Sequence, residues 1–436
     1  MLFPAVALCG ENGYKPSVNT HTPSFREEFL NTIWVPYPGI RDLNLAGRVL
    51  AVEKTSLKLF IGDKAKSVKI KRVSKRMMKN WQQWERILIP GDIIGIQKNG
   101  QCIMLAPWRA TDGEYTEDLN ERVVRQLTRQ AEWNRFIEGV NQFFTQRGFL
   151  AVTTPTLVKN PGPEPTIDVF KTMYKQGKQQ TEKFLITSPE LHLKKIVSQT
   201  LTPVYEIAKV YRNNEHSPRH QPEFWMIEWY RPFDDLSGIV DDVKNLILFL
   251  IKHLGIKRKK PRFEHITFAG LLRDCYAYEF KPDTSADELK QWLKKQSVYF
   301  SDVMTLDDLF TLVNLELVET KINPENIVFL NEYPPYAAAL AKLDEQGWAQ
   351  RFEVYWHGLE LGNAFNELND PYIQAKRLED DNMKKKENGL EPLPIDTEFL
   401  ESLKRGLPPT AGISIGLERL FMALYNETDI SKLKWF

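Results

Sequence analysis

Apolar and polar positions alternate with a period of two in three early runs, Ala46–Val52, Ser56–Ile61 and Ser67–Val73, and this predicts three short strands. Lys75–Leu88 shifts to helical spacing, with Met77, Met78, Trp81 and Trp84 available for a core face. Pro90-Gly91-Asp92 turns the chain into two further strands, Ile93–Ile96 and Cys102–Ala106. Trp108–Asp118 reads as a linker. Leu119–Arg147 is a long helix that stops at Gly148, a C-cap. Phe149–Val152 then enters Thr153-Thr154-Pro155 as a strand. Residues 156–183 read as loop-rich, least regular over Asn160–Pro165, Ile239–Leu254 as a helix, and residues 285–345 as short helices between polar linkers. Residues 1–40, rich in Pro, Asn and Thr, carry no period and are expected to be irregular.

Three strands, a helix and two strands over residues 41–112 follow the order of an OB-like β-barrel. Such barrels often bind oligonucleotides on the face of strands 2 and 3, which here would carry Lys58, Lys69, Lys71 and Arg72. Residues 41–110 hold 15 Lys+Arg against 5 Asp+Glu, a net +10 in a chain whose total is only +1. That basic module either meets a polyanion or presents a solvated face. No apolar run approaches the roughly 18 residues that span a bilayer. The apolar start, Met1–Cys9, lacks a positive leader and reads as a tail or packing segment rather than a signal peptide. Cys9, Cys102 and Cys275 are too scattered for a disulfide or metal framework, which points to a reducing cytoplasm.

The chemistry lies further along. Two strand-like runs, Val204–Tyr211 and Glu223–Tyr230, flank an eleven-residue polar connection holding Arg212, His216, Arg219 and His220. Hairpins ordinarily turn in two to five residues; a longer loop dense in cationic donors implies an anionic ligand. Strand parity puts Phe224, Met226, Glu228 and Tyr230 on one face. A second hairpin turns at His357-Gly358, with Glu353 and Glu360 on opposite arms, able to face each other. Bringing Glu360 onto one face with Asn363, Phe365 and Glu367 requires a bulge, for which Gly362 is well placed. The glutamate pair either holds Mg²⁺ against nucleotide phosphates or faces solvent. Finally, Pro408–Gly416 is a small-residue strand leading into a helix with Arg419 in its first turn.

Together these segments resemble the catalytic core of class II aminoacyl-tRNA synthetases over residues 119–436. Neither a Gly-x-Gly-x-x-Gly nor a Gly-Lys-Thr motif competes with that reading. The helix ending before Pro155 resembles the first class motif, the Arg212 segment the second and Gly416-Leu417-Glu418-Arg419 the third. Glu228-Trp229-Tyr230, Glu360–Phe365 and Pro408–Gly412 are similar to the lysyl-tRNA synthetase branch. Thr187-Ser188-Pro189-Glu190 and Glu228-Trp229-Tyr230-Arg231-Pro232 are similar to its shortened paralogues, the elongation factor P–lysine ligases. The resemblance implies an α+β fold: an antiparallel sheet flanked by helices over residues 113–436, beside the small OB-like barrel. It implies ATP and Mg²⁺ as cofactors, with Arg212 and Arg419 catalytic. Asn214, Arg219, His220 and Phe224 would join them around ATP, and Glu353 and Glu360 would hold the metal. Ser188, Glu190, Glu228, Tyr230, Asn363, Phe365, Glu367 and Ser414 would line the amino-acid pocket. The acyl group, lysine or (R)-β-lysine, would pass to elongation factor P or, alternatively, to tRNA; a non-catalytic RNA- or protein-binding relative is the third reading. A homodimer is implied by the class. Asn214 stands where the second motif usually has glutamate, with Glu215 next, and Ser414 stands where the two branches carry glycine or alanine.

Overall fold

The structure is a computed structural model that describes residues 43–53, 56–61, 66–71, 84, 88–100, 102–106, 108, 115–215 and 217–433. The chain forms two compact units, residues 1–128 and 129–436, and their boundary falls inside the helix Glu117–Gln146. Among the described residues no helix is long and apolar enough to cross a membrane.

The first unit holds five strands: β1 Leu43–Glu53, β2 Ser56–Ile61, β3 Lys66–Lys71, β4 Ile93–Gln97 and β5 Cys102–Ala106. They pair antiparallel in the order β3-β2-β1-β4-β5, consistent with an OB-like module. Val49, Leu57, Leu59, Ile94 and Ile96 form its core with Trp84 and Leu88, so Trp84 packs as expected. The rest of the helix expected over 75–88, residues 1–40, and the side chains of Trp81, Lys69, Lys71 and Arg72 lie outside the described residues.

The second unit adds β6 Leu150–Ala151, β7 Leu157–Val158, β8 Lys171–Gln176, β9 Gln179–Leu185, β10 Val204–Tyr211, β11 Glu223–Pro232, β12 Phe263–Thr267, β13 Ile327–Tyr333, β14 Ala349–Trp356, β15 Leu359–Asn366 and β16 Thr410–Gly416. Eight of them form one sheet in the order β12-β13-β14-β15-β16-β11-β10-β6, antiparallel except where β6 meets β10 and β12 meets β13. One face is apolar. Ile227, Trp229, Ile413, Ile415, Phe352 and Val354 pack there against Leu246 and Leu250 of the helix Leu236–Leu254 and Phe421 of the helix Leu417–Tyr425. The opposite face carries the polar residues discussed below. Strand parity decides this: each strand sends alternate side chains into the helical layer and the rest into the site.

Several expectations hold. The long helix ends before Gly148, whose φ of +77° is the left-handed C-cap conformation. The 212–222 connection has its expected limits, since β10 ends at Tyr211 and β11 starts at Glu223. His357 and Gly358 both have positive φ, +52° and +70°, matching a tight hairpin turn.

Two expectations fail. Residues 156–183 are not merely loop, because β8 and β9 form a hairpin there that also pairs with β7. Most of its side chains are exposed, and its apolar residues fall in adjacent pairs, Met173-Tyr174 and Phe184-Leu185, so no apolar alternation marked it. Residues 285–345 conceal β13, a strand inside the main sheet. Ile327–Leu330 is a continuous buried run, which has no two-residue period to read.

Gly362 lies where β15 meets β16, and a Cβ placed on it would come within 2.3 Å of the Ser414 carbonyl oxygen. Gly362→Ala is therefore expected to force the two strands apart and to lower stability by about 1–3 kcal/mol, measured as the shift in the urea unfolding midpoint.

Candidate active site

Cross-strand pairing lines up one polar row over five strands: Glu206 on β10, Glu228 on β11, Ser414 on β16, Asn363 on β15 and Glu353 on β14. The bulge that this row requires is present. Val354 pairs with Gly362 and Tyr355 with Glu360, so Leu361 is the extra residue and the parity of β15 changes there. Glu353 and Glu360 consequently do not oppose each other across the hairpin, as expected from the turn alone. Glu353 faces Asn363, and Glu360 faces Tyr355 one step along.

Beneath the row lies a buried charge cluster. Lys194, on the helix Glu190–Thr200, is 1% exposed and ion-pairs with Glu190 and with Glu367, the latter at 2.5 Å. Burial by itself would lower its pKa; the two carboxylates outweigh that and hold it charged. Glu228 is 1% exposed and accepts hydrogen bonds from Ser188 Oγ at 2.7 Å and Tyr230 OH at 2.5 Å. Burial, with Glu190 adding to it, pushes its carboxyl up to about 8 despite those bonds. Burial also raises Glu367, although Lys194 opposes the shift. Oε1 of Glu367 and Oδ1 of Asn363 are buried without a partner. Three carboxylates around one ammonium leave the cluster short of positive charge and of donors, which a ligand amine would supply. Gly412 gives this cluster room: a Cβ there would strike the Tyr230 ring at 2.3 Å.

Beside it the Arg212 loop and the third motif build a cationic wall. Ser217 and His220 bridge through both backbone groups, and Ser217 Oγ lies 2.8 Å from His220 Nδ1. Arg419 Nη2 donates to His220 Nε2 at 2.6 Å, so the imidazole proton sits on Nδ1, facing Ser217. Burial and then Arg419 lower the His220 pKa and keep the ring neutral. Arg419 also donates to the Glu360 carbonyl at 2.8 Å, which ties motif three to the β14–β15 hairpin. Arg212 lies 5.5 Å over the Phe224 ring, and its Nε is buried without a partner.

These groups surround a cavity of about 280 Å³. Ser188, Glu190, Arg212, Arg219, His220, Phe224, Glu360, Asn363, Phe365, Ser414 and Arg419 all line it. Glu228, Tyr230 and Glu367 are buried and do not line it; Glu228 is bonded to Ser188, and Glu367 is joined through Lys194 to Glu190, both of which do. Asn214 is not brought to it: its amide and that of Asn213 both donate to Asp168, at 3.0 and 2.8 Å. Glu215 lines the cavity instead. The positive φ of Asn214, +61°, makes the turn that displaces one residue and presents the next. Sequence reading missed Lys194, although its i,i+4 spacing from Glu190 on a helix was available as a signal. It also missed Glu164, which accepts a hydrogen bond from Thr187 and carries no local motif.

Glu353 lies behind Glu360. Arg351 Nη2 donates to its Oε1 at 2.5 Å and Tyr355 OH to its Oε2 at 2.6 Å. Burial raises its pKa, Arg351 opposes this, and Glu360 adds to it. Glu319 is pushed up to about 7, first by burial and also by Glu353 and Glu360. Among the described residues no three metal-ligating side chains converge. The donor set is nonetheless all oxygen, mutually repelling and under-compensated, and each Glu353 oxygen retains a second lone pair. It fits a hard cation held by one or two carboxylates, with the remaining ligands supplied by phosphates.

Comparison with known proteins agrees with this geometry. The family model described as tRNA synthetases class II (D, K and N) matches residues 118–436. The elongation factor P–(R)-β-lysine ligase of Haemophilus ducreyi is 33% identical over 307 residues, covering 70% of this chain and 91% of its own. The protein of the same name from Vibrio atlanticus is 35% identical over 324 residues, 72% and 95% of the two chains. That of Vibrio vulnificus is 33% identical over 344 residues, 76% and 98%.

Two outcomes follow from the charge cluster. Lys194→Met leaves Glu190 and Glu367 without their cation and is expected to cost about 3–5 kcal/mol in urea unfolding at neutral pH. An ammonium ligand favours the ionised form of Glu228, whose carboxyl burial pushes up to about 8. Binding at pH 7 is therefore expected to release a proton, and affinity should rise as pH climbs from 6 towards 8. Calorimetric titration in two buffers of different ionisation enthalpy measures the release; identical heats would contradict it.

Proposed function

The chain belongs to the class II tRNA synthetase family, and on that footing we propose that it activates lysine or (R)-β-lysine with ATP and transfers the acyl group to a lysine side chain of elongation factor P. The observation that carries this reading is the under-compensated carboxylate cluster Glu190, Glu228 and Glu367, set directly beside a guanidinium-lined cavity. The cluster selects an amine-bearing acid by pairing with its ammonium groups, and the cationic wall takes the triphosphate. The names of the ligases from Haemophilus ducreyi and two Vibrio species support the acceptor and the β-amino acid.

A carboxylate oxygen of the amino acid attacks the α-phosphorus, the bond to the β-phosphate breaks, and pyrophosphate leaves. Negative charge grows on the α-phosphate oxygens during that step, and the unpartnered Arg212 Nε is a fixed donor available to meet it. Phe224 and Arg419 would flank the adenine, while Arg219 and His220 would take the outer phosphates. Glu353 and Glu360 would hold Mg²⁺, which supplies charge neutralisation between phosphates when bound. In the second step an acceptor amine displaces AMP from the acyl carbonyl. No side chain of this chain acts as a nucleophile in either step. Exposed Leu150, Leu157, Met173 and Tyr174 on β6 to β8 support a homodimer.

The lysyl-tRNA synthetase reading rests on one observation, the net +10 of residues 41–110. It predicts label transfer to bulk tRNA, whereas the ligase reading predicts transfer to elongation factor P.

Pyrophosphate exchange is expected with lysine or (R)-β-lysine; its absence with both amino acids would end the reading. Arg212→Ala is expected to lower exchange by about 10²–10³-fold. Ser414→Gly, which empties the position between Glu228 and Asn363, is expected to shift the preference towards α-lysine. An unchanged ratio of the two amino acids would remove Ser414 from the specificity argument.

A further inference from the structure

Resting on the ligase reading above, we propose that Lys385 is a positioning residue of the reaction: its ammonium fixes the segment Glu164–Asp168, and that segment sets the amino-acid pocket and the Arg212 loop against each other.

Lys385 lies in the last turn of the helix Pro371–Glu387 and is 1% exposed. It shares the buried face of that helix with Gln374 and Leu378, since helical spacing returns these positions to one side. A buried ammonium ordinarily sits against a carboxylate. Lys385 instead donates to two backbone carbonyls, that of Glu164 at 2.8 Å and that of Ile167 at 2.5 Å. Burial lowers its pKa, and the charges of Glu164, Asp168 and Asp381 oppose that.

The acceptors account for so costly a donor. Pro161, Pro163 and Pro165 carry no backbone N–H, so this stretch has few donors with which to satisfy its own carbonyls. Ile167 N and Asn388 Nδ2 reach the Glu164 and Pro165 carbonyls only at 3.4 Å. The shorter bonds come from the lysine.

Both halves of the site hang from the backbone that Lys385 holds. At one end the Glu164 carboxylate accepts from Thr187 Oγ1 at 2.7 Å, and the next residue, Ser188, donates to Glu228 at 2.7 Å. At the other end Asp168 accepts from the Asn213 and Asn214 amides at 2.8 and 3.0 Å, in the loop that carries Arg212. The lysine takes one carbonyl beside each tie: that of Glu164 itself, and that of Ile167, which precedes Asp168. Glu164 also lines both the cavity described above and a larger one of about 840 Å³ beside it, whereas Lys385 lines neither. It therefore acts on the substrates only through the segment.

A lysine needed only for folding would lower the melting temperature and leave both KM values unchanged. A positioning lysine alters the use of both substrates together, because a shift of the segment moves the carboxylate nucleophile and the α-phosphate out of register. Misplacement by about 1 Å costs on the order of 10²-fold.

Pyrophosphate exchange by the full-length protein, with ATP and (R)-β-lysine varied in turn, separates the two roles. The variants are Lys385→Met, Thr187→Val, Asp168→Ala and the double variant of the first two, each assayed at a temperature where circular dichroism shows it folded. Lys385→Met is expected to lower kcat/KM by about 10–100-fold, with KM raised for both substrates. Thr187→Val is expected to raise KM for the amino acid alone, and to add nothing once Lys385 is replaced, because the same tie is already lost. Parent KM values for both substrates in folded Lys385→Met would overturn the proposal. So would a full additional effect of Thr187→Val in that background. If Lys385→Met does not fold, Thr187→Val and Asp168→Ala decide: an unaltered KM for the amino acid in the first, or for ATP in the second, removes a tie through which Lys385 acts. Absence of exchange in the parent protein refutes the ligase reading itself, an outcome distinct from parent-like KM values in the variants.

Discussion

A single buried ammonium, Lys194, holds this site together, and the charge it fails to balance defines what the site can bind. It lies between Glu190 and Glu367, with Glu228 close enough for its carboxyl to feel the same field. Buried carboxylates in this number are tolerable only if they are protonated, paired or awaiting a cation. Glu228 adopts the first solution in the free protein, and Lys194 provides the second for its neighbours. A ligand amine would provide the third. The pocket thus combines structural cost with selectivity: the burial that raises the carboxyl pKa values would reward a ligand that brings ammonium groups.

The sheet makes this economical. A row of polar side chains, Glu206, Glu228, Ser414, Asn363 and Glu353, crosses five strands without interrupting the apolar layer on the other face, because cross-strand partners share a face and parity separates the two sides. The bulge at Leu361 moves Glu360 onto the same side, and Gly362 and Gly412 remove the side chains that would otherwise keep strands and rings apart. Arg419 then ties three segments of the chain together, touching His220 of the second motif and the Glu360 carbonyl of the hairpin. These two bonds fix its guanidinium between the Arg212 loop and the hairpin.

Two cavities meet at Glu164, Ser188, Glu190, Glu360, Asn363 and Phe365, and both carry more carboxyl side chains than basic ones. Guanidinium groups of Arg212, Arg219 and Arg419 line only the smaller, and Glu353 only the larger.

Much of this was legible in the chain. The eleven-residue cationic loop, the turn at His357-Gly358, the Gly416–Arg419 corner and the requirement for a bulge near Gly362 all follow from local rules of turn length, parity and spacing. Those rules act over a few residues, so they survive without knowledge of the fold. Other features depend on which segments meet. Lys194 is an ordinary helical lysine until Glu367, far along the chain, is packed against it. Glu215 rather than Asn214 lines the cavity, because Asp168 captures two neighbouring amides. The β13 strand reads as an unpatterned apolar run because neighbours cover both of its faces. Sequence by itself determined the chemical types and their faces. Only the tertiary structure decided which charges share one low-dielectric volume, because that energy depends on separation and burial, and neither is written along the backbone.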